Sequence, residues 1–303
     1  MNASLRIAPL ALITALLAPH AAEAKVRVAA SLTDLASIAS SVGGDQIEVF
    51  AIARPADDPH RIEALPSYMV KVSRAQIYLK VGLGLDQWAD AIIDGSRNDK
   101  VKTVDCSRGI TVLEKPTGKV DASMGDVHPD GNPHYWLDPR NGAIVARNVA
   151  EALAAADPAN AAAYRARAEA FAKEVDAAYA RQSAIAAKVP EKTIFTYHRS
   201  WSYFAAAFGF DVAANVEPVP GIPPTAKHLA ELIDIAKSRH VPVLIQEPYF
   251  PSESGKFLNR EAGVHPVVAS PSCDAPTAGS YLAHFDKILG DMAAVAVPAG
   301  AAK

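Results

Sequence analysis

The 303-residue chain contains only two cysteines, Cys106 and Cys273, so it lacks the thiol clusters of zinc ribbons and of small disulfide-stapled domains. It also lacks a basic excess. Its 30 Lys and Arg are balanced by 33 Asp and Glu with no basic stripe, which argues against a nucleic-acid partner. Aromatic residues make up only 7% while half the chain is hydrophobic, so the core has to be built largely from alanine and aliphatic side chains. No H-E-x-x-H segment occurs, which removes the commonest zinc-hydrolase signature. No repeat is evident at the short periods of solenoids.

Long apolar runs are absent too, apart from residues 7–18, which are too few to span a bilayer comfortably. That run follows Arg6 and precedes Ala22-Glu23-Ala24, the layout of a signal peptide with an A-x-A cleavage site. The expectation is export to the periplasm, cleavage after Ala24 and a mature start at Lys25. No cysteine follows the cut, so no lipid anchor is expected. Cys106 and Cys273 could then pair or remain separate buried thiols, since a bond requires Cα atoms within about 7 Å.

What the chain does have is an alternation of short apolar strands and helices over 26–104 and again over 193–293, the mark of βαβ units. Between them, 159–188 is rich in Ala, Glu, Lys and Arg, with no Gly or Pro before Pro190. Helix propensity makes this one long helix, and no sustained heptad of large residues marks it as a coiled coil. The fold expected is α/β: two similar lobes of about four parallel strands with flanking helices, joined by one long rigid helix. Residues 1–24 form the leader, 25–158 the first lobe, 159–189 the linking helix and 190–303 the second lobe. The polar, glycine-containing stretch 114–133 reads as a long loop, and such loops are often functional.

Several polar residues fall on loops beside these elements. Pro133 and Pro139 bracket Asn132-Pro133-His134-Tyr135-Trp136-Leu137-Asp138-Pro139, and Asp138 followed by proline reads as a helix cap. His60 follows the second strand within Asp58-Pro59-His60, His198 ends the strand 193–197, Glu247 ends the strand 241–246, and Asp274 follows 264–269. Open parallel sheets bind ligands at the carboxyl ends of their strands. Two facing lobes would therefore gather His60, His134, His198 and Asp274 in one cleft. Three imidazoles and a carboxylate suit tetrahedral zinc, and a filled ligand set holds an ion rather than activating water. Glu247 is the alternative fourth ligand or a hydrogen-bond partner to a ligand histidine. A Cys273 thiolate is a further alternative. His228, His240, His265 and His284 read as ordinary solvated residues, and Trp136, Trp201 and Tyr203 as core or cleft wall.

Asp58-Pro59-His60 with Pro66-Ser67, the Asn132–Pro139 segment, and Tyr197-His198 with Tyr203-Phe204 resemble the cluster A-I solute-binding proteins, the zinc and manganese receptors of ABC importers. The resemblance covers nearly the whole mature chain, the long helix included. It implies metal ligation by His60, His134 and His198, with an acidic residue before the last helix, best matched by Asp274, completing the site. Histidine at the His198 position resembles the zinc receptors, whereas manganese receptors place glutamate there. A departure is the 114–133 loop, which carries Asp121, Asp126, His128 and Asp130 in place of a long histidine run. These four could capture metal outside the main site. The implied function is a periplasmic zinc receptor, monomeric and without turnover, that delivers Zn2+ to an inner-membrane permease and takes it from a periplasmic chaperone. A manganese receptor of the same family is the alternative. A zinc hydrolase using the three histidines with Glu247 as base is the alternative from another class.

Overall fold

The structure is a computed structural model that describes residues 25–118, 120, 121, 124–189 and 191–295; the leader reading lies outside these residues. The first lobe begins with β1 (Val26–Ala30), α1 (Thr33–Gly43), β2 (Ile47–Ala51), α2 (Pro66–Val72), β3 (Ile77–Lys80), α3 (Trp88–Gly95) and β4 (Lys102–Asp105). After a long loop come α4 (Asn141–Ala156) and the 26-residue α5 (Ala161–Ala186). The second lobe runs β5 (Thr193–Thr196), α6 (Ser202–Phe208), β6 (Asp211–Asn215), α7 (Ala226–Arg239), β7 (Val243–Gln246), α8 (Glu253–Ala262), β8 (His265–Val268) and α9 (Ser280–Val295).

Each lobe is a four-stranded parallel sheet, ordered β2-β1-β3-β4 in the first and β6-β5-β7-β8 in the second. The central strand β7 is buried throughout as Val-Leu-Ile-Gln, as expected of a strand covered on both faces. β4, at an edge, is Lys-Thr-Val-Asp and mostly exposed, and its charges discourage pairing with a foreign strand. The matching strand orders turn the carboxyl ends of β2, β5, β6 and β7 into the loops that carry His60, His198, Glu217 and Glu247.

α5 packs against α1, α4 and α9. Its buried face is Tyr164, Ala168, Phe171, Val175, Ala178, Gln182 and Ala186, a spacing of four and three that is hard to see in the sequence because three of the seven are alanine. Arg167 caps α1, its guanidinium donating to the carbonyls of Val42 (2.6 Å) and Gly43 (3.1 Å). One apolar core runs unbroken from Val28 and Leu79 in the first sheet through Phe171, Val175 and Phe285 to Ile245 and Val267 in the second.

Polar bonds stitch the same junction. Thr33 Oγ1 donates to the Cys273 carbonyl and Ser37 Oγ to that of Thr277, both at 2.7 Å. Trp136 Nε1 donates to the Pro271 carbonyl at 2.7 Å. Wide hinge opening would break this core, so small-angle scattering should give nearly the same radius of gyration with and without metal. A large contraction on metal addition would contradict the rigid junction.

Candidate metal centre

His60 and His134 are presented by the same local device. In Asp58-Pro59-His60, Asp58 Oδ1 accepts both the backbone N–H of His60 (3.0 Å) and its ring Nδ1–H (2.9 Å). In Asn132-Pro133-His134, Asn132 Oδ1 accepts the backbone N–H of His134 (3.0 Å) and its Nδ1–H (2.9 Å). The side chain two residues ahead thus closes an Asx turn across the proline and fixes the imidazole tautomer at once. Asn132 is held in turn, its side-chain amide donating to the Arg199 carbonyl at 2.9 Å and its backbone carbonyl accepting from Tyr203 O–H at 2.9 Å. Gly131 (φ +105°) makes the entry to this segment; a side chain there would sit 2.9 Å from the Leu113 carbonyl oxygen. Asp138 Oδ1 accepts the Arg140 N–H at 2.9 Å, but α4 begins at Asn141 with Arg140 in the cap position, so Asp138 closes the turn ahead of the helix and is not its N-cap.

His198 ends β5 and finds its partner on the neighbouring strand's loop. Its Nδ1–H donates to Glu217 Oε2 at 2.6 Å. With all three Nδ1 atoms engaged, Nε2 is left on each ring for a ligand. The Nε2 atoms of His60 and His134 are buried and have no partner among the described residues.

The three rings converge. One nitrogen from each of His60, His134 and His198 lies within 4.8 Å of the other two, the only such His/Cys/Asp/Glu group among the described residues. Ring centroids are 5.1 Å (His60–His134), 5.1 Å (His60–His198) and 5.8 Å (His134–His198) apart. Imidazole nitrogens about 2.0 Å from a tetrahedral zinc would put ring centroids roughly 5 Å apart, so the trio is already spaced for one ion. A cavity of about 40 Å³ lies beside His128, His134 and His198, and a larger one of about 260 Å³ beside His60, His198 and Tyr249.

The electrostatics treat the buried rings differently. Burial, aided by the other histidines, holds His134 well below the ordinary imidazole value of 6.5. For His198 burial pulls the same way, but the Glu217 hydrogen bond and the charges of Glu247, Glu217 and Asp58 outweigh it and raise the ring. Glu247 is wholly buried; its Oε1 accepts from Ser200 Oγ (2.8 Å) and Trp201 Nε1 (3.0 Å), and burial lifts its carboxyl to about 7.

Other expected residues fall elsewhere. Asp274 is exposed and outside the gathered group, because α1 ties its loop along the first lobe through the Cys273 and Thr277 carbonyls. In the 114–133 loop, Asp126 pairs with Arg61 at 3.3 Å, Asp121 and Asp130 are exposed, and His128 packs its ring on His60. Cys106 and Cys273 are both buried and free. His284, read as solvated, is instead buried on α9, its Nε2 on the Ser270 carbonyl at 3.0 Å. His240 ends α7 in the left-handed conformation (φ 52°), and Trp136, Trp201 and Tyr203 are core. Glu217 was missed; its place at the end of β6 was the available signal.

Glu217 should tune His198. Its carboxylate raises the ring, so a proton on Nε2 persists above pH 6.5 and metal must displace it. Affinity should therefore fall as pH drops through that raised value. Glu217→Gln removes its share of the lift, while Glu247 and Asp58 keep theirs, and should move the fall to lower pH. At pH 8 it should weaken zinc binding by about tenfold to a hundredfold through loss of ligand basicity. Competition titrations across pH, with circular dichroism to confirm folding, check both effects; an unchanged pH profile would remove Glu217 from this role.

Two parallel-sheet lobes around a trio of converging imidazole nitrogens define a metal receptor of the solute-binding class. The model of the family described as the periplasmic zinc-uptake complex component A, ZnuA, matches residues 28–295, and the chain belongs to that family of ABC-importer binding proteins, which are not enzymes. A ZnuA crystal structure superposes with a TM-score of 0.78 at 26% identity, covering 90% of this chain and 100% of that one. The FpvC binding protein of Pseudomonas aeruginosa, solved with Mn2+, gives a TM-score of 0.74 at 27% identity over 89% of this chain and 98% of that one. The iron-binding protein YfeA of Yersinia pestis is 28% identical over 245 residues, 79% of this chain and 75% of its own. No helix among the described residues is long and apolar enough to cross a membrane.

Proposed function

We propose that this chain is a periplasmic receptor for Zn2+, which His60, His134 and His198 hold through Nε2 and which it passes to an ABC permease in the inner membrane. The observation that carries the reading is the convergence of three imidazole nitrogens within 4.8 Å, each with its other nitrogen already engaged by Asp58, Asn132 or Glu217. The similar proteins are named for zinc, manganese or iron, so the donor atoms of this chain have to select the ion. Three neutral nitrogens favour zinc over manganese. The chain is exported by its leader, cut after Ala24 and works as a monomer without a lipid anchor, with residues 25–158 and 190–303 as lobes about the linking segment 159–189. A periplasmic donor supplying the ion fits the same address.

Metal analysis of protein isolated from periplasm, with no metal added, should find one zinc per chain on a polypeptide beginning at Lys25. Manganese or iron at full occupancy would displace the zinc reading, and a polypeptide still carrying residues 1–24 would displace the export reading.

A further inference from the structure

Resting on that receptor reading, we infer that Glu114 is a positioning residue for the metal site. Its carboxylate fixes which way round the Asn132 side-chain amide stands, and through Asn132 it holds His134 in its ligating orientation. Asp58 and Asn132 serve their histidines in the same way, but they are not chemically equivalent. Both oxygens of Asp58 accept, so either edge of that carboxylate suits His60. An amide has one accepting end and one donating end. Turned over, Asn132 would set its NH2 group against the backbone N–H and the Nδ1–H of His134, donor against donor. The NH2 end therefore has to be held elsewhere.

Glu114 is placed to hold it. The Asn132 amide nitrogen donates to Glu114 Oε2 at 3.0 Å and to the Arg199 carbonyl at 2.9 Å, so its two N–H groups meet oxygens that can only accept. Glu114 Oε1 takes the proton of Ser202 Oγ at 2.8 Å, which leaves that hydroxyl, 3.3 Å from the same amide nitrogen, in the accepting role as well. Without Glu114 the Ser202 proton could turn toward Asn132, and the Arg199 carbonyl alone would still specify the amide. The backbone keeps the carboxylate in reach. Asn132 N–H donates to the Leu113 carbonyl at 2.9 Å, and Tyr203 Oη bridges the two segments, accepting from Leu113 N–H and donating to the Asn132 carbonyl, both at 2.9 Å. Glu114 itself lies in the left-handed region at φ 52°, which a glutamate seldom adopts and keeps only where its surroundings hold it.

Glu114 also meets the Arg199 guanidinium at 3.2 Å, next to His198 in sequence. With the two side chains 35% and 46% exposed, that ion pair contributes little in water, so the hydrogen bond to buried Asn132 is the part that reaches the metal site. The arrangement ties the start of the 114–133 loop to the residue that orients His134 and to the turn that follows His198.

The test measures zinc affinity by chelator competition on the full chain, on Glu114→Ala, Glu114→Gln and Asn132→Ala, and on the Glu114→Ala/Asn132→Ala double variant, with circular dichroism to confirm folding. Glu114→Ala should weaken binding about tenfold, the low end for a group that acts through a ligand's own partner. Glu114→Gln, whose carbonyl oxygen can still accept from Asn132, should stay within about threefold of wild type, since only the exposed charge pair is lost. In the Asn132→Ala background, removing Glu114 should cost no more than about twofold, because the link it acts through is already gone. General damage to the loop would instead add to the effect of Asn132→Ala. A further pair reads the same link without alanine at position 114: a carboxylate in Asn132→Asp has no N–H for Glu114 and is repelled by it, so adding Glu114→Gln there should raise affinity severalfold. Wild-type affinity in Glu114→Ala, a Gln variant as weak as the Ala one, the whole loss repeated in the Asn132→Ala background, or no gain in the Asn132→Asp background overturns the inference and leaves the receptor reading standing. Wild type that binds no zinc removes both together.

Discussion

Replacing His134 with alanine should lower zinc affinity by on the order of a hundredfold or more while leaving the fold intact. Structural zinc is bound with about 10–16 kcal/mol, so one ligand among four carries roughly 3 kcal/mol, a factor of ~100 or more. His134 is the most deeply buried of the three, at 2% exposure, and sits in the small cavity beside His128 and His198. Water could refill the position in the variant, but it would bring neither the fixed tautomer supplied by Asn132 nor a neutral nitrogen donor. His60→Ala and His198→Ala should follow the same pattern. Calorimetry with a competing chelator reads the loss, and near-wild-type affinity in His134→Ala would exclude it as a ligand. The protein itself should remain folded, because the core of Trp136, Tyr135 and Leu137 does not depend on the imidazole.

The second large effect is in the choice of metal. Zinc should bind at least roughly a hundredfold more tightly than manganese, since the Irving–Williams order places manganese lowest and nitrogen donors widen the gap. The donor set explains why: among the described residues no carboxylate joins the gathered group, and Glu217, Asp58 and Glu247 act through histidines or lie behind them. A hard, oxygen-seeking ion gains little from imidazoles alone. Substituting His198→Glu would place a carboxylate at the strand end and should narrow the preference. Competition between the two metals on wild type and this variant measures it; manganese winning in wild type would show that oxygen ligands enter the site.

Much of this was legible in the chain before its structure. The strand–helix alternation fixes two parallel sheets, and the carboxyl ends of parallel strands are where His60 and His198 were expected. The proline-flanked histidines carried more information than their spacing alone revealed, for the Asp and Asn two residues ahead are the groups that orient the rings. What stayed hidden depends on contacts between distant elements. Glu217 reaches His198 because β6 lies next to β5, a strand order that no local pattern states. Asp274 follows β8 in sequence, yet hydroxyls of α1 bind the carbonyls on either side of it and hold its loop along the first lobe. His284 shares a helix face with Tyr281, Ile288 and Met292, and is buried with them. The α5 stripe escaped notice because alanine fills the positions where a larger residue would have announced a packed face.

The most direct test is a crystal structure of the zinc-loaded protein with anomalous data on both sides of the zinc absorption edge. One strong peak should lie about 2.0–2.1 Å from Nε2 of His60, His134 and His198 alike. A peak bound elsewhere, or one that leaves any of these three nitrogens uncoordinated, would contradict the site on which the whole account rests.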